Sequence, residues 1–503
     1  MMIKQWNLQY EDYLHDESLR IGSAQSISFP LSEADIIDII KKIGADGGRI
    51  TTQGARTGIA AGAVPDGGHI LNLSRMNAIG EIRQDESGEH SIIVEPGALL
   101  SDVKKIVEKD ELFFPPDPTE TSASIGGMVS CNASGAMSFF YGSTRNWVKS
   151  IRVVLADGSI ANLKRGENVS QARSFALTTQ NGKTISGNLP TYIMPSVKSA
   201  AGYYTSDNVD IIDLFIGAEG TLGIITQIEL KLIEKPKAIV GLSVFFSSED
   251  AALKFVRVMR AEEVGGLDRV DVRPVAIEFF NSDALNLLRT MKSNNPAFAN
   301  IPALKPHFHS AIYVEFHGVS DEELEETVMQ VMNAILALGA SDDDTWFGTT
   351  ERELEPMKAF RHATPEAVNL LIGERKRSNP EITKLGTDMS VPDAYLEMVM
   401  AMYNNDLREQ SLDSVIFGHI GNNHVHVNIL PNDMRQYEIG KSLYLSWARQ
   451  IVALGGSVSA EHGIGKLKVP FLELMYGEEG IAQMRQLKKI LDPNSILNPG
   501  NLF

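Results

Sequence analysis

Three glycine-rich loops, spread over residues 54–223, constrain what this chain can fold into more than any other feature. The first, QGARTGIAAGAVP (53–65), sets Gly54, Gly58 and Gly62 four residues apart, directly after the strand-like run GRITT. The second, PPDPTETSASIGGMVSCNASGAMSFFYGSTRNWV (115–148), carries Gly126, Gly127 and Gly135 among small residues. The third, GAEGTLGIIT (217–226), puts Gly217, Gly220 and Gly223 before a strand. Glycine lets a backbone turn tightly and aim several N–H groups into one concavity, which suits a pyrophosphate. The first loop precedes no convincing helix and is not G-x-G-x-x-G, and EHGIGKLK (461–468) lacks the spacing and Ser/Thr of a Walker loop. One such loop more often serves packing than ligand binding. Three, each opening or closing a strand, point to a phosphate-bearing cofactor.

Around these loops the first half alternates strands and helices. Ser32 with Asp35 reads as a helix-start capping pair, Ile36, Ile39, Ile40 and Ile43 as one apolar face, and Gly44 as the stop. HSIIVEPG reads as strand, LLSDVKKIVEKD as helix, and VKSIRVVLADGSIANL as a hairpin turning at Asp157 and Gly158. GIITQIELKLI puts Ile224, Thr226, Ile228, Leu230 and Leu232 on one face of a half-buried strand. The Lys–Pro–Lys break in EKPKA (234–238) closes this region. Beyond it, SAIYVEFHG and DEELEETVMQVMNAILAL belong to a strand–helix alternation expected to form an antiparallel sheet with helices on one face. The expected division is 1–236 and 237–503, an α+β chain. The terminal LDPNSILNPGNLF, with no polar tail, is expected to dock on the fold.

Composition excludes some function classes. With 503 residues the chain can bury more than one core. A net charge of -18, without clustered Lys and Arg, argues against nucleic-acid binding. The single cysteine, Cys131, excludes an internal disulfide and a cysteine-held iron–sulfur cluster, and fits a reducing compartment. No apolar run approaches the roughly 20 residues of a spanning helix, and MMIKQWNLQYEDYLHDESLR lacks a signal-peptide core, so a cytoplasmic protein is expected.

FGHIGNNHVHVNIL (417–430) places His419, His424 and His426 in one apolar hairpin of a chain with 11 histidines in all. Strand alternation sends His424 and His426 to the same face, and the turn at 421–423 brings His419 back beside them. Such a hairpin either presents imidazoles to a ligand or buries polar histidines against backbone.

The segments PDPTETSASIGGMVSCNASG, YGSTRNWV, GAEGTLGIIT, GHIGNNHVHVNIL, AEHGIGKLK and LDPNSILNPG resemble the FAD-linked oxidases related to vanillyl-alcohol oxidase and p-cresol methylhydroxylase. Within these the chain is most similar to the D-lactate dehydrogenase, D-2-hydroxyglutarate dehydrogenase and glycolate oxidase flavoprotein group, in order from about residue 25 to the C-terminus. The resemblance implies a two-part FAD-binding domain and a ferredoxin-like antiparallel-sheet cap over the isoalloxazine, whose last ~45 residues pack back on the FAD domain. It implies that Gly54, Ala55, Arg56, Thr57 and Gly58, with Ser124, Gly126 and Gly127, cradle the pyrophosphate, and that Glu219, Gly223 and Ile225 contact the adenosine half. Pro118, Gly135, Gly142 and Asn498 complete the implied FAD contacts. Some relatives hold FAD through a histidine in the first loop; Arg56 and Thr57 fill that place here, so noncovalent FAD is expected. Ala218 stands where the family usually has Ser, and Ala55 and Arg56 where it often has Gly.

Metal-dependent members use two histidines of G-H-x-G-D-G-N-x-H and the Glu of E-H-G, which correspond to His419, His426 and Glu461. That ligand set suits Zn²⁺, alternatively Mn²⁺ or Fe²⁺, with His462 as base and Arg361 of FRHATPEAVN holding a substrate carboxylate. Lys384 is a second, weaker carboxylate candidate. The family's D-G-N is Asn422, Asn423, His424 here, and His424 is read as filling the Asn position. The activity implied is oxidation of a small D-2-hydroxy acid of lactate, glycolate or 2-hydroxyglutarate type to the 2-oxo acid. Alternatives on the same scaffold are phenolic alcohol oxidation, ether-lipid synthesis, in which a histidine replaces Glu461, and an electron-transfer flavoprotein subunit. Electrons must leave through a separate acceptor: a quinone, an electron-transfer flavoprotein, an iron–sulfur partner or oxygen. Peripheral membrane association and homo-oligomerisation stay open.

Overall fold

A computed structural model describes residues 3–267, 270 and 272–503. The first helix, Glu33–Ala45, starts as its sequence dictates: the Asp35 N–H donates to Ser32 Oγ (3.2 Å) and the Leu31 N–H to Asp35 Oδ2 (2.8 Å). It runs past Gly44; the chain turns instead at Gly47, at φ +67°, where glycine carries no steric cost. Ile36, Ile39 and Ile40 pack on Ile50, Leu71, Val154 and Ile224. This helix thereby joins two sheets. One is a small mixed sheet ordered Ile3–Gln5, Ser26–Ser28, His69–Asn72, Ile50–Gln53. The other is antiparallel, ordered Ile79–Gln84, His90–Val94, Ile224–Glu234, Val148–Val154, Ile160–Lys164, with Leu112–Phe113 pairing the end of Ile224–Glu234.

Ile224–Glu234 is the central strand of the larger sheet, and its alternation is real: Ile224, Thr226, Ile228, Leu230 and Leu232 are buried while Gln227 is exposed. The next strand, Ala238–Phe246, belongs to a different sheet, so the chain changes sheets across 235–237. That third large sheet is antiparallel and eight-stranded. Its order is Thr345–Gly348, Ala238–Phe246, Ser310–Gly318, Ala276–Phe280, Ser414–Gly418, His424–Ile429, Leu385–Gly386, with Met389–Ser390 also on His424–Ile429.

Helices cover both faces of this sheet, not one. Leu242, Val244 and Phe246 pack on Glu249–Met259 and Asp321–Ala337. Phe245, Phe280 and Ala311 pack on Ser282–Asn294 and Glu351–Arg375. The reason is visible in the strands: Ala276–Phe280 and Ser310–Gly318 are apolar at successive positions and buried almost throughout, as strands covered on both sides are. Eight-stranded pairing thus carries a ferredoxin-like helix pair on one side and a second helix pair on the other.

The C-terminal segment returns to the first sheet. Ile50 N–H donates to Ile496 C=O (2.7 Å) and Asn498 N–H to Ile50 C=O (2.7 Å). Asp492, fully buried, accepts from Lys488 Nζ (2.9 Å) and the Ile496 and Leu497 amides (3.0 and 2.9 Å), which fixes the turn that makes this return.

Candidate active site

The histidine hairpin is Ser414–Gly418 paired with His424–Ile429, and its register sets Phe417 opposite His426. Gly418 has φ +131°, and a Cβ there would meet His426 Cδ2 at 2.9 Å; the glycine lets that imidazole lie against the strand end. Asn423 takes the left-handed conformation (φ 51°) that Asn tolerates, and its Nδ2 donates to the Val391 carbonyl (3.0 Å) and Asp393 Oδ1 (2.6 Å). The NN turn is therefore tied to the neighbouring loop, and it delivers His419 beside His424 and His426.

Glu461 comes from far along the chain. The loop that carries it is held by Asp388, which accepts the Glu461 and His462 amides (3.1 and 3.0 Å), Lys468 Nζ (2.6 Å) and Ser459 Oγ (2.7 Å). On its other side the same loop is held by Glu219, whose carboxylate accepts the Ile464 and Gly465 amides (2.7 and 2.8 Å). The result brings His419, His424, His426 and Glu461 together, one ligand atom from each within 4.8 Å of all the others. His419 Nε2 is 3.1 Å and His424 Nδ1 3.7 Å from Glu461 Oε2.

The electrostatics follow from burial and pairing. Burial disfavours the His419 imidazolium, but Glu278 (Oε1 2.6 Å from Nδ1) and Glu461 outweigh it and push it up to about 9. His426 goes the other way: burial and then the charges of His462 and His419 hold it down to about 4. Burial, and then His426, keeps His424 well below the ordinary range. Burial opposes charge on Glu461, and Lys198 (Nζ 3.1 Å from Oε2) and His419 reverse that, holding the carboxyl well below its usual value. A divalent ion at the centre would take the place of the His419 proton, since metal ligands must be deprotonated. Two or three neutral imidazoles and a carboxylate are suitable donors for such an ion.

His462 does not share this cluster's burial. Its ring stacks on His426 (centroids 5.5 Å, planes 13° apart), Nδ1 lies 3.3 Å from Asp388 Oδ2, and 28% of the side chain is exposed. Burial lowers its pKa, with Asp388 opposing. Arg361 is not a surface ion pair. It lies over the Tyr313 ring (4.8 Å) with Nη2 4.0 Å from Glu278 Oε2, and its Nε is buried without a hydrogen bond. Through Glu278 it sits one carboxylate away from His419. Lys384 instead donates to Asn369 Oδ1 (2.8 Å).

The cofactor loops converge as well. The Ala55 and Gly127 amides both donate to Ser124 Oγ (3.2 and 3.3 Å), which caps the helix Ile125–Cys131. Arg56 stands at φ 64° with its guanidinium on the Tyr13 ring (4.5 Å) and donating to the Asp12 carbonyl, so the loop is braced from outside. Among the described residues the amides of Arg56, Thr57, Gly58 and Ile59 donate to no protein acceptor, and nothing lies within 4 Å of where a Gly58 Cβ would be. A run of free amides beside an open glycine fits a pyrophosphate. At three other expected contact residues packing by itself requires glycine: a Cβ would meet Pro96 Cβ at 2.5 Å from Gly126, Asp117 O at 1.8 Å from Gly135, and Val153 Cγ1 at 2.4 Å from Gly223. Glu219 is committed to the 464–465 amides, Ile225 pairs Val153, and Asn498 bridges the Thr52 amide (2.8 Å) and the Glu219 carbonyl (2.8 Å).

A cavity of about 260 Å³ is lined among others by Asn132, Gly142 and Arg145 of the second glycine-rich loop, Asn422 of the hairpin turn, Lys198 and Ala460. Lys198 lines it and also holds Glu461, so cavity and cluster adjoin. Sequence reasoning missed Lys198, Glu278 and Asp388. Glu278 left a signal, a lone acid in the apolar run VAIEFF, because a buried charge needs a partner. Asp388 and Lys198 left none, since Glu461, which both hold, lies 73 residues from the one and 263 from the other.

A glycine-rich loop with free amides, and a buried histidine–carboxylate cluster tied to it through the 461–468 loop, are the parts of a two-part flavoprotein oxidoreductase. The family model for the C-terminal domain of FAD linked oxidases matches residues 235–502, over half of the chain, and an FAD binding domain model matches residues 24–164. The chain belongs to the FAD-linked oxidases. It is 28% identical to D-lactate dehydrogenase of Anaerostipes hadrus, over 98% of this chain and 92% of that protein. It is 29% identical to glycolate oxidase subunit GlcD of Bacillus subtilis (strain 168), over 90% of this chain and 83% of that protein. Among solved structures, alkyldihydroxyacetonephosphate synthase superposes with a TM-score of 0.68 at 16% identity, covering 99% of this chain and 82% of that one, which shows the shared fold. Among the described residues no helix is long and apolar enough to cross a membrane.

Proposed function

We propose that this chain is a metal-assisted, FAD-dependent dehydrogenase of a small D-2-hydroxy acid of the lactate, glycolate or 2-hydroxyglutarate type. The observation that carries the reading is the convergence of His419, His426 and Glu461, with His424, next to a cavity that Lys198 and the second glycine-rich loop both line. The names of the relatives, D-lactate dehydrogenase and glycolate oxidase, support the substrate class.

FAD, held on residues 54–58 and 124–127 within a domain of residues 1–236, supplies the hydride acceptor when bound. A divalent ion on His419, His426 and Glu461 would supply a Lewis acid for the hydroxyl and carboxylate oxygens. The protein's own groups do the rest. His462, partly exposed and oriented by Asp388, accepts the hydroxyl proton at its free ring nitrogen as the α-hydrogen leaves as hydride. Arg361, buried and incompletely paired, and Lys198 draw the substrate carboxylate toward the cluster. The buried walls exclude water and hold the reacting groups in one orientation. Reducing equivalents then pass to a separate acceptor.

Anaerobic mixing of the flavin-loaded protein with D- and L-lactate, glycolate, 2-hydroxyglutarate and malate tests this. Bleaching of the visible flavin band by at least one D-2-hydroxy acid or glycolate is expected, and chelation or Glu461→Gln is expected to abolish it with FAD still bound. If no hydroxy acid reduces the flavin with Mn²⁺, Fe²⁺ or Zn²⁺ supplied, the reading is wrong.

A further inference from the structure

Two imidazoles of the cluster are hydrogen-bonded at one ring nitrogen, and the third turns one ring nitrogen toward a carboxylate. Glu278 Oε1 takes His419 Nδ1 (2.6 Å), the Thr387 carbonyl takes His426 Nδ1 (2.9 Å), and Asp388 Oδ1 lies 2.9 Å from His424 Nε2. A carbonyl or carboxylate can only accept, so the gripped nitrogen carries the proton and the other keeps its lone pair. Metal-ligating histidines are oriented by this kind of outer contact. For His424 the free nitrogen is Nδ1, and it faces Glu461 Oε2 at 3.7 Å. The ring is wholly buried and neither nitrogen makes a hydrogen bond of good geometry. A lone pair turned toward a carboxylate oxygen, with no donor near it, is repulsive unless a cation stands between them. Most buried side-chain nitrogens in a purely structural position find a hydrogen-bond partner, and here neither does.

We propose that His424 is a fourth protein ligand, so that this chain offers three imidazoles and one carboxylate where the sequence pattern implied two and one. The proposal rests on the metal reading above and extends it. Its consequence is chemical. Four protein donors complete a tetrahedral shell and leave a tetrahedral Zn²⁺ no position for substrate. An ion that accepts six ligands, Mn²⁺, Fe²⁺ or Co²⁺, keeps two positions for the two oxygens of a 2-hydroxy acid. The site is built for such an ion.

Cobalt is the probe. The flavin-loaded full chain, stripped by a chelator, is titrated with Co²⁺ while uptake and visible d–d absorption are followed. The unsubstituted protein is expected to bind one ion with the weak absorption of a six-coordinate centre. His424→Asn is expected to bind it at least about tenfold more weakly, with a changed spectrum and an unchanged flavin band. Equal affinity and an equal spectrum in His424→Asn, with His426→Ala still losing the ion, overturns this assignment and leaves the metal reading standing. An intense tetrahedral band in the unsubstituted protein overturns the six-position conclusion. Retention of no Co²⁺, Mn²⁺ or Zn²⁺ by that protein overturns both readings. X-ray absorption on the unsubstituted cobalt form needs no variant to fold: three imidazoles support the proposal and two refute it.

Discussion

At the scale of single residues, the four histidines around Glu461 divide by exposure. His424 is closed off entirely, whereas His462 keeps 28% of its side chain open. That difference favours the proposed role of His462 as base, and on that reading His462→Asn should lower kcat by about 10²- to 10⁴-fold, the usual contribution of a positioned base. Flavin content and metal content should stay unchanged, and a stopped-flow measurement of flavin reduction checks it. His419, His426 and Glu461 were legible because each sits in a short local pattern. His424 was legible only as a departure; the sequence reading gave it an Asn's place, and the buried, unbonded Nδ1 facing Glu461 argues otherwise. Asp388 was not legible, because the groups it gathers come from 424, 459, 461, 462 and 468, and no local spacing encodes such a meeting.

At the scale of elements, alternation predicted Ile224–Glu234 well because one of its faces is solvated, while the strands of the eight-stranded sheet hid their second helix layer. A run such as SAIYVEFHG is apolar at successive positions, and one sequence of that kind does not say how many helices will cover it. The small mixed sheet carries a titration of its own. His69, 1% exposed on the strand His69–Asn72, bonds Ser26 Oγ (2.8 Å) and Ser28 Oγ, and burial holds it down to about 4. Its unfolded value is near 6.5, so between 6.5 and 4 the unfolded chain binds the extra proton. Stability is therefore full above about pH 6.5 and declines as pH falls, by roughly 3 kcal/mol at pH 4 from this group. His69→Asn keeps polar partners for both serines without the titration. Urea unfolding at pH 7 and pH 4.5 should give a smaller loss for the variant than for the parent.

For the whole molecule, the order of sheets along the chain followed the glycine-rich half, the Lys–Pro–Lys break and the apolar second half, all readable from composition. What could not be read was how tightly the end of the chain is fastened. Gly465 passes so near the first cofactor loop that a Cβ would meet Ala60 O at 2.0 Å, and Lys466 N–H donates to that carbonyl (2.9 Å). With Glu219 gripping the loop at 464–465 and Asp388 at 461–462, residues 461–468 are riveted at two points. A rivet of this kind has no half-open state. On warming, the yellow colour leaving the protein and the loss of turnover should follow one curve, and Glu219→Gln should move both to a lower temperature by the same amount. A coloured but inert species accumulating on the way up would mean the two halves let go separately.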